Sequence, residues 1–205
     1  MKQKLCMFAW VWLLMLPFTV CGQSRIKKEQ PMKTEKILVT FFSRAGENYA
    51  VGHIEKGNTH ILAEMIAAET GGTLFHIEPV QPYPEDYTEC TKVAKAELHS
   101  QARPAVKGDV AVEEYDVIFI GYPNWWGDMP MPVYTFIERH DWRNKTVIPF
   151  CTHEGSGLSA TERKLQQACK GATVQEGLAV RGAVAQNSPA QARKSVERWL
   201  QKLGY

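Results

Sequence analysis

The sequence predicts an α/β protein built on a doubly wound, parallel sheet. Short apolar runs rich in β-branched and aromatic residues alternate with helical segments along the chain, and this alternation is typical of a parallel sheet covered by helices on both faces. The first run, residues 36–42, is apolar at successive rather than alternate positions, which indicates a central strand buried on both sides. About five such strands fit a chain of this length.

The first half of the chain predicts a strand–helix–strand unit. The polar, glycine-containing residues 43–58 follow the first strand as a loop. Asn58 and Thr59 are placed to cap the next helix with their side-chain oxygens, and Gly71-Gly72 ends it. The apolar face of this helix and the second strand, residues 73–77, complete the unit. The helical face consists of Ile61, Leu62, Met65 and Ile66.

The second half of the chain repeats the alternation of strands and helices. Ser188 is predicted to cap the last helix, whose apolar stripe ends at Leu203. The predicted elements are helices at residues 87–100, 131–139 and 159–169, strands at residues 115–121 and 144–151, the short strand Thr173-Val174, and the apolar run of residues 178–180.

The N-terminus predicts export. Lys2 and Lys4 precede an apolar run, residues 5–20, and small residues follow it, which is the pattern of a secretory signal peptide. We therefore predict a signal peptide at residues 1–22, a polar linker at residues 23–35, and one domain at residues 36–205. An uncleaved anchor and a lipid at Cys21 remain alternatives, and the expected location is periplasmic or membrane-associated, with membrane contact only through this segment.

Charge and cysteine content exclude several classes of protein. The chain has 24 basic and 22 acidic residues, and removal of Lys2 and Lys4 with the signal peptide leaves a formally neutral protein. No basic run indicates a nucleic-acid partner. Three cysteines, Cys90, Cys151 and Cys169, remain after residue 22. Their spacing predicts neither a disulfide framework nor a metal knot, and either one disulfide plus a thiol or three free thiols fits.

Three loops, after the first, third and fourth predicted strands, carry groups suited to a nucleotide. The carboxyl ends of these strands share one edge of the sheet, where such sheets bind ligands. Hydroxyl, amide and backbone N–H groups at a helix start suit a phosphate, adjacent tryptophans suit a planar ring, and a flexible Gly/Ser loop can approach the ring edge. We therefore predict a mononucleotide with a large ring. The residues are Ser43, Arg44, Ala45, Asn58 and Thr59 in the first loop, Pro123, Asn124, Trp125, Trp126 and Gly127 in the second, and Thr152, His153, Glu154, Gly155, Ser156 and Gly157 in the third.

The chain resembles the flavodoxin-like family, and within it the bacterial flavodoxins, through Ser43-Arg44-Ala45-Gly46 and Tyr122-Pro123-Asn124-Trp125-Trp126-Gly127. The resemblance covers Lys36 to Tyr205. It implies strand order 2-1-3-4-5, FMN held without a covalent bond, and electron transfer with a partner protein or a small-molecule donor or acceptor. It also implies that the first loop holds the phosphate, the second flanks the isoalloxazine ring and the third closes its other side.

The sequence departs from the family pattern at two places. The family has one short phosphate turn, Ser-x-Thr-Gly-Asn-Thr, whereas here the matching parts, residues 43–45 and 57–59, are separated by residues 46–56. Glu154 stands where the family tends to have glycine. A carboxylate near the ring is expected to disfavour the anionic hydroquinone and lower the second reduction potential.

Other chemistries find weaker support in the sequence. Cys151 and His153 could form a nucleophilic pair, but residues this close in one loop rarely face each other, so no catalytic side chain is predicted. His153 and Glu154 lack a third metal ligand at suitable spacing, so no metal site is predicted. Tyr83 and Tyr87 fit either a cover over the ring or an outlying part of the core. An NAD(P)H- or quinone-dependent FMN oxidoreductase and a flavin-free binding module remain alternative functions.

Overall fold

A computed structural model describes residues 35–205. The predicted signal peptide and the predicted linker up to residue 34 lie outside the described residues. Within residues 35–205, no helix combines the length and the apolar character needed to cross a membrane.

Strands and helices alternate through the described part of the chain, as the sequence predicts. The strands are β1 (Ile37–Phe41), β2 (Gly46–Asn48), β3 (Gly52–Ile54), β4 (Thr73–His76), β5 (Val117–Pro123), β6 (Thr146–His153), β7 (Thr173–Val174) and β8 (Leu178–Arg181). The helices are α1 (Asn58–Thr70), α2 (Tyr87–Ser100), α3 (Met131–Ile137), α4 (Thr161–Ala168), α5 (Gly182–Asn187) and α6 (Pro189–Leu203).

The main sheet has the order β4-β1-β5-β6, followed by β7 and β8, which both pair with β6. Every pairing in this sheet is parallel. Since β7 and β8 together provide the fifth strand, the order is 2-1-3-4-5. The predicted doubly wound, five-stranded fold of flavodoxin-like type is therefore confirmed, with its fifth strand in two pieces.

A proline in β6 accounts for the break in the fifth strand. Val147 accepts a hydrogen bond from the N–H of Gln175, so the odd-numbered residues of β6 turn their backbone groups toward the fifth strand. The next odd-numbered position is Pro149, which has no N–H to donate. The register of β7 ends at Val174, the Gln175 N–H makes the last bond to β6, and pairing resumes at Leu178.

Side chains bond two of the backbone groups in the gap between β7 and β8. The Trp199 indole donates to the carbonyl of Glu176 at 3.1 Å, and the Glu162 carboxylate accepts from the N–H of Gly177 at 2.8 Å. Gly177 also lies so close to the proline that an added Cβ would sit 2.8 Å from Pro149 Cγ. These two bonds give partners to the Glu176 carbonyl and the Gly177 N–H.

Two apolar cores lie on opposite faces of the sheet. Successive residues of β1 belong to different cores. Leu38 lies in the core beneath α3 and α4, and Val39 lies in the core beneath α1 and α6. Both side chains are fully buried. This alternation confirms that the first strand is covered on both faces.

The sequence did not predict the hairpin β2–β3 or helix α5. Residues 46–54, expected to be loop, form the antiparallel hairpin β2–β3, and α5 lies between β8 and α6. Gly71 ends α1 in the left-handed conformation as predicted. Ser188 occupies the N-cap of α6, but its side chain makes no capping hydrogen bond.

Candidate functional site

A cavity of about 450 Å³ lies at the carboxyl ends of β1, β5 and β6. Nine of the sixteen residues predicted from the sequence line it, and they come mainly from the second and third loops. Asn48, Tyr49, Tyr87 and Gly182 also line it and were not among the predicted site residues. The predicted residues in the lining are Asn58, Pro123, Asn124, Trp125, Thr152, His153, Glu154, Gly155 and Ser156.

The two separated parts of the phosphate loop meet in space. Gly57 lies so close to the end of β1 that an added Cβ would be 2.2 Å from Ser43 Oγ and 2.5 Å from the carbonyl oxygen of Arg44. The Ser43 hydroxyl accepts a hydrogen bond from the N–H of His60 at 3.1 Å. The hairpin β2–β3 is therefore an insertion that leaves the underlying strand–turn–helix junction closed.

Helix α1 points its amino terminus at the cavity. Gly57 is the N-cap and makes no side-chain capping bond, so the prediction that Asn58 and Thr59 cap this helix is wrong. The Asn58 amide instead lines the cavity, and its Oδ1 is buried with no hydrogen-bond partner among the described residues. A buried acceptor of this kind calls for a donor, and the free N–H groups of the first helical turn call for an acceptor.

Thr59 joins the first loop to the third. Its hydroxyl is 2.7 Å from that of Thr152 in a buried hydrogen bond. Both side chains are nearly inaccessible, at 1% and 3% exposure. The position of Thr59 is therefore structural, since its hydroxyl fixes the spacing between the start of α1 and the end of β6.

Arg44 anchors the hairpin. Its guanidinium donates to the carbonyl oxygens of Pro84 at 3.1 Å, Glu47 at 2.6 Å and Glu85 at 2.6 Å. The N–H of Glu47 donates back to Glu85. Arg44 does not line the large cavity, and its observed contacts hold β2–β3 against the segment that precedes α2.

The two tryptophans diverge at a tight turn. Trp125 and Asp128 exchange backbone hydrogen bonds, and the two residues between them, Trp126 and Gly127, have φ of 58° and 77°. Positive φ at both central positions defines a type I′ turn. The turn directs Trp125 into the cavity and Trp126 away from it, so the expectation that Trp126 and Gly127 flank the ring finds no support in the cavity lining.

Aromatic neighbours hold Trp125 edge-on. Its ring lies 5.3 Å from that of Phe42 and 5.0 Å from that of Tyr83, at interplanar angles of 80° and 85°. Such edge-to-face contacts are favourable arrangements of aromatic rings. Tyr83 therefore belongs to the outlying core, whereas Tyr87 lines the cavity.

Asn124 links the second and third loops. Its side-chain amide donates to the carbonyl of Gly157 at 2.8 Å and to the hydroxyl of Ser159 at 2.9 Å, and it accepts from the N–H of Gly127 at 3.0 Å. Its backbone N–H donates to the carbonyl of Thr152. Because all these groups are engaged, Asn124 serves to fix the two loops relative to each other.

Asp128 anchors the tryptophan turn to two helices. The residue is 5% exposed. Its carboxylate accepts hydrogen bonds from the Met129 N–H and the Tyr134 hydroxyl at 2.8 Å each and forms an ion pair with Lys164. The sequence analysis missed this residue. An aspartate after a Trp-Gly pair and before an apolar helix is a signal that could have identified it.

The third loop contributes an imidazole, His153, and a carboxylate, Glu154, to the cavity lining. His153 Nδ1 accepts a hydrogen bond from the N–H of Gly155 at 2.8 Å, so this nitrogen carries no proton. Burial lowers the pKa of His153, and Glu154 opposes that shift. Glu154 accepts from the N–H of Ala183 at 2.7 Å, which ties its carboxylate to the start of α5.

Cysteine and metal chemistry fit the structure poorly. Cys90, Cys151 and Cys169 are all buried free thiols. Burial raises the pKa of Cys151 and of Cys169 to about 12 each, so a Cys151–His153 nucleophile is unsupported. No group of histidine, cysteine and carboxylate side chains in residues 35–205 is arranged to hold a metal ion.

The cavity combines features suited to a nucleotide with a large planar ring. Its volume falls within the roughly 300–1,000 Å³ of small-molecule sites, and free helical N–H groups favour a phosphate at one end. Trp125 and Tyr87 provide aromatic surface at the other end. The unpaired Asn58 oxygen offers an acceptor for a ligand hydroxyl or N–H.

Comparisons with known proteins agree with the fold. The sequence model of the flavodoxin family matches residues 36–202. A putative flavoprotein from Bacteroides eggerthii is 31% identical, with 83% of this chain and 99% of that chain covered and a TM-score of 0.66. A putative flavoprotein from Bacteroides uniformis is also 31% identical, with 82% and 99% covered and a TM-score of 0.63.

A more distant structure shares the fold. A flavoprotein from Lactobacillus acidophilus, solved in complex with FMN, is 21% identical, with 75% of this chain and 97% of that chain covered and a TM-score of 0.56. No curated protein matches the chain.

Proposed function

The chain belongs to the flavodoxin family, and we propose that it is a redox protein that binds FMN without a covalent bond and transfers electrons through it. The observation that carries the proposal is the cavity of about 450 Å³ at the carboxyl edge of the sheet, with the start of α1 at one end and Trp125 at the other. The FMN complex of the Lactobacillus flavoprotein, which shares the fold, supports the choice of cofactor.

The phosphate would bind at the junction of β1 and α1. The free N–H groups of Asn58 and Thr59 at the helix start, the turn of residues 43–45 and the positive end of the helix dipole all favour an anion there. The Ser43 hydroxyl accepts from His60 and so has its own proton available to donate. Asn58 Oδ1 would accept from a hydroxyl of the ribityl chain.

The ring would lie between the second and third loops. Trp125 would give one aromatic wall, and residues 152–156 would approach the ring edge. Bound FMN supplies the electron chemistry, so the residues of this chain need only hold the ring, exclude water and keep Glu154 in place. Absence of a suitable nucleophile among the described cysteines is consistent with this division of tasks.

The direct test is a spectrum of the purified chain before and during titration with FMN. We expect flavin absorption bands and saturable quenching of FMN fluorescence with a stoichiometry of one. A colourless protein that leaves added FMN fluorescence unchanged would overturn the proposal and favour the flavin-free binding module.

An FMN-dependent oxidoreductase is the second candidate function. Exposed aromatic side chains at the cavity mouth favour it, since Tyr49 is 64% and Tyr87 40% exposed and both line the cavity. Such surfaces can receive a second planar molecule beside the ring. Anaerobic addition of NADH or NADPH to the FMN-loaded chain separates the two functions, because rapid bleaching indicates an enzyme and no bleaching indicates a carrier that needs a protein donor.

Export to the periplasm or to a membrane surface is a further part of the proposal. The basic and apolar pattern of residues 1–22 supports it. Fractionation of cells that express the full chain tests it, with Cys21→Ser as the variant that separates a lipid anchor from simple cleavage. Recovery of the full-length chain in the cytosol would contradict export.

A further inference from the structure

We propose that a second, smaller pocket beside the cofactor cavity binds a single-ring quinone, which accepts electrons from the reduced cofactor. The proposal rests on the proposed FMN function and names the substrate class of the same site. The pocket has a volume of about 200 Å³ and shares four lining residues with the larger cavity, namely Asn48, Tyr87, Asn124 and Trp125.

The floor of the pocket comes from the buried face of α2. Cys90 is 3% exposed and Ala94 is 7% exposed, and both line the pocket. Burial raises the pKa of the Cys90 thiol, so this side chain acts there as a small apolar group. Together with the faces of Tyr87 and Trp125, the floor offers apolar and aromatic surface to a flat ligand.

Trp126 forms the outer wall. Its indole N–H donates to the carbonyl of Thr91 at 3.2 Å, and the Lys95 ammonium lies 4.9 Å from its ring centroid. The residue is nonetheless 53% exposed and has a left-handed backbone with φ of 58°. A bulky aromatic residue in this conformation is strained, and such strain concentrates at functional sites.

The pocket also contains an arginine whose charge faces carbonyl dipoles. Arg44 lines the pocket, and its three hydrogen bonds go to carbonyl oxygens rather than to carboxylates. Its positive charge is therefore only partly offset. A ligand that gains negative charge on its oxygens during the reaction is favoured beside such a group.

Size and charge together select the class of ligand. Sites for drug-sized molecules begin at roughly 300 Å³, so this smaller pocket suits one six-membered ring. Oxidised nicotinamide is a cation and is disfavoured next to Arg44, whereas a quinone is neutral and becomes more negative as it is reduced. Reduction of a quinone to its hydroquinone takes up two electrons and two protons; bound FMN in its reduced form would supply the electrons, and water would supply the protons.

The first experiment measures binding without turnover. The full chain, with oxidised FMN and separately without it, is equilibrated by dialysis against duroquinone and against the three-ring anthraquinone-2-sulfonate. We expect one saturable duroquinone site in the FMN-loaded chain and at least tenfold weaker binding of the larger quinone. Equal binding of the two quinones, or no saturable duroquinone site, would overturn the proposal.

A pair of variants on α2 locates the site. Ala94→Leu fills the pocket from its floor and is expected to weaken duroquinone binding at least tenfold while FMN affinity stays within about twofold. Ala96→Leu makes the same change at an exposed position of the helix and should leave both affinities unchanged. Trp126→Leu, which removes the outer wall at an exposed position, should weaken duroquinone binding several-fold if Ala94→Leu fails to fold.

The outcomes separate this proposal from the proposed function. A chain that binds FMN but whose duroquinone affinity is unchanged in Ala94→Leu and Trp126→Leu has no quinone site here. Joint loss of FMN and duroquinone binding in Ala94→Leu would assign the pocket to the cofactor itself and also overturn the proposal. A chain that binds no FMN contradicts the proposed function, whatever duroquinone does.

Discussion

The two ends of the cofactor cavity are built in opposite ways. At the phosphate end the site is formed mainly by backbone. Gly57 lies directly against the end of β1, and the side chains of Ser43 and Thr59 are bonded within the protein. At the ring end, side chains form the walls and a left-handed turn directs them. We therefore expect FMN binding to weaken when atoms are added at the phosphate end. At the ring end, we expect it to weaken when the identity of a side chain changes.

The largest effect is expected from Gly57→Ala. The new Cβ would lie 2.2 Å from Ser43 Oγ and 2.8 Å from the backbone nitrogen of Arg44, and backbone cannot move aside as a side chain can. We expect a loss of about 2–3 kcal/mol in the free energy of unfolding, as for other overpacked sites, together with weaker FMN binding. Urea unfolding and FMN titration measure the two effects.

Gly52→Ala is the control for this change. Nothing lies within 4 Å of an added Cβ at Gly52, although its φ is 69°. We expect only the cost of a left-handed alanine, roughly 1 kcal/mol, and unchanged FMN affinity. If both variants lose FMN affinity equally, the close contact between the two halves of the phosphate loop is not what holds the phosphate.

The next largest effect is expected on stability, from a change at Asp128, which anchors the tryptophan turn. Asp128→Asn removes the buried partner of Lys164, and because Lys164 is partly exposed we expect a loss of about 1–2 kcal/mol in the free energy of unfolding. Asp141→Asn, which breaks an exposed pair with Arg143, should cost clearly less than Asp128→Asn, because exposed ion pairs contribute little to stability. Similar losses for both would show that Asp128 is not a special anchor.

The tryptophan pair gives a matched test of the ring end. Trp125→Leu removes the aromatic wall of the cavity and should weaken FMN binding roughly two- to tenfold, the value of one aromatic contact. Trp126→Leu makes the identical change one residue along and should alter FMN affinity by less than roughly twofold. A larger effect at Trp126 would reverse the assignment of the two rings.

The smallest effect is a pH dependence at the third loop. The pKa of His153 is lowered by burial below its ordinary value of 6.5, so the unfolded chain binds a proton more readily than the folded one. Stability from this group is complete above about pH 6.5 and declines as the pH falls toward the folded pKa. Burial lowers the pKa of His60 and His76 as well, with the same sign.

A comparison with His153→Gln isolates this contribution. Protonation of Nδ1 would break the hydrogen bond from Gly155, so FMN affinity should also decline in acid. The variant should lose less stability and less FMN affinity than the parent chain between about pH 7.5 and pH 5.5. An identical decline in both proteins would assign the whole effect to His60 and His76.

Much of the fold could be read from the sequence because the strands are apolar on both faces. Val117 to Ile120 are all buried, and only a central strand accommodates such a run. The hairpin β2–β3 escaped prediction because its six paired residues are largely polar or glycine and depend on Arg44 for their position. Contacts between distant residues of this kind leave no local signal.

The site was predictable where it depends on loops at strand ends and not where it depends on turn geometry. Trp125 and residues 152–156 lie in the cavity as expected. Trp126 turns away from the cavity because two consecutive residues have positive φ values. A Trp-Gly pair in a sequence does not predict that conformation. Asn58 was expected to cap a helix, but Gly57 takes that position and frees the amide for the cavity.

The interruption opposite Pro149 also bears on how the molecule behaves at high concentration. The edge of a sheet is a row of unpaired backbone groups that can recruit a strand from another copy. Here one edge is β4, of 4 residues, and the other is divided into segments of 2 and 4 residues. Neither edge of this sheet offers a long template for pairing, so we expect the break opposite Pro149 to disfavour edge-to-edge association between copies of the chain.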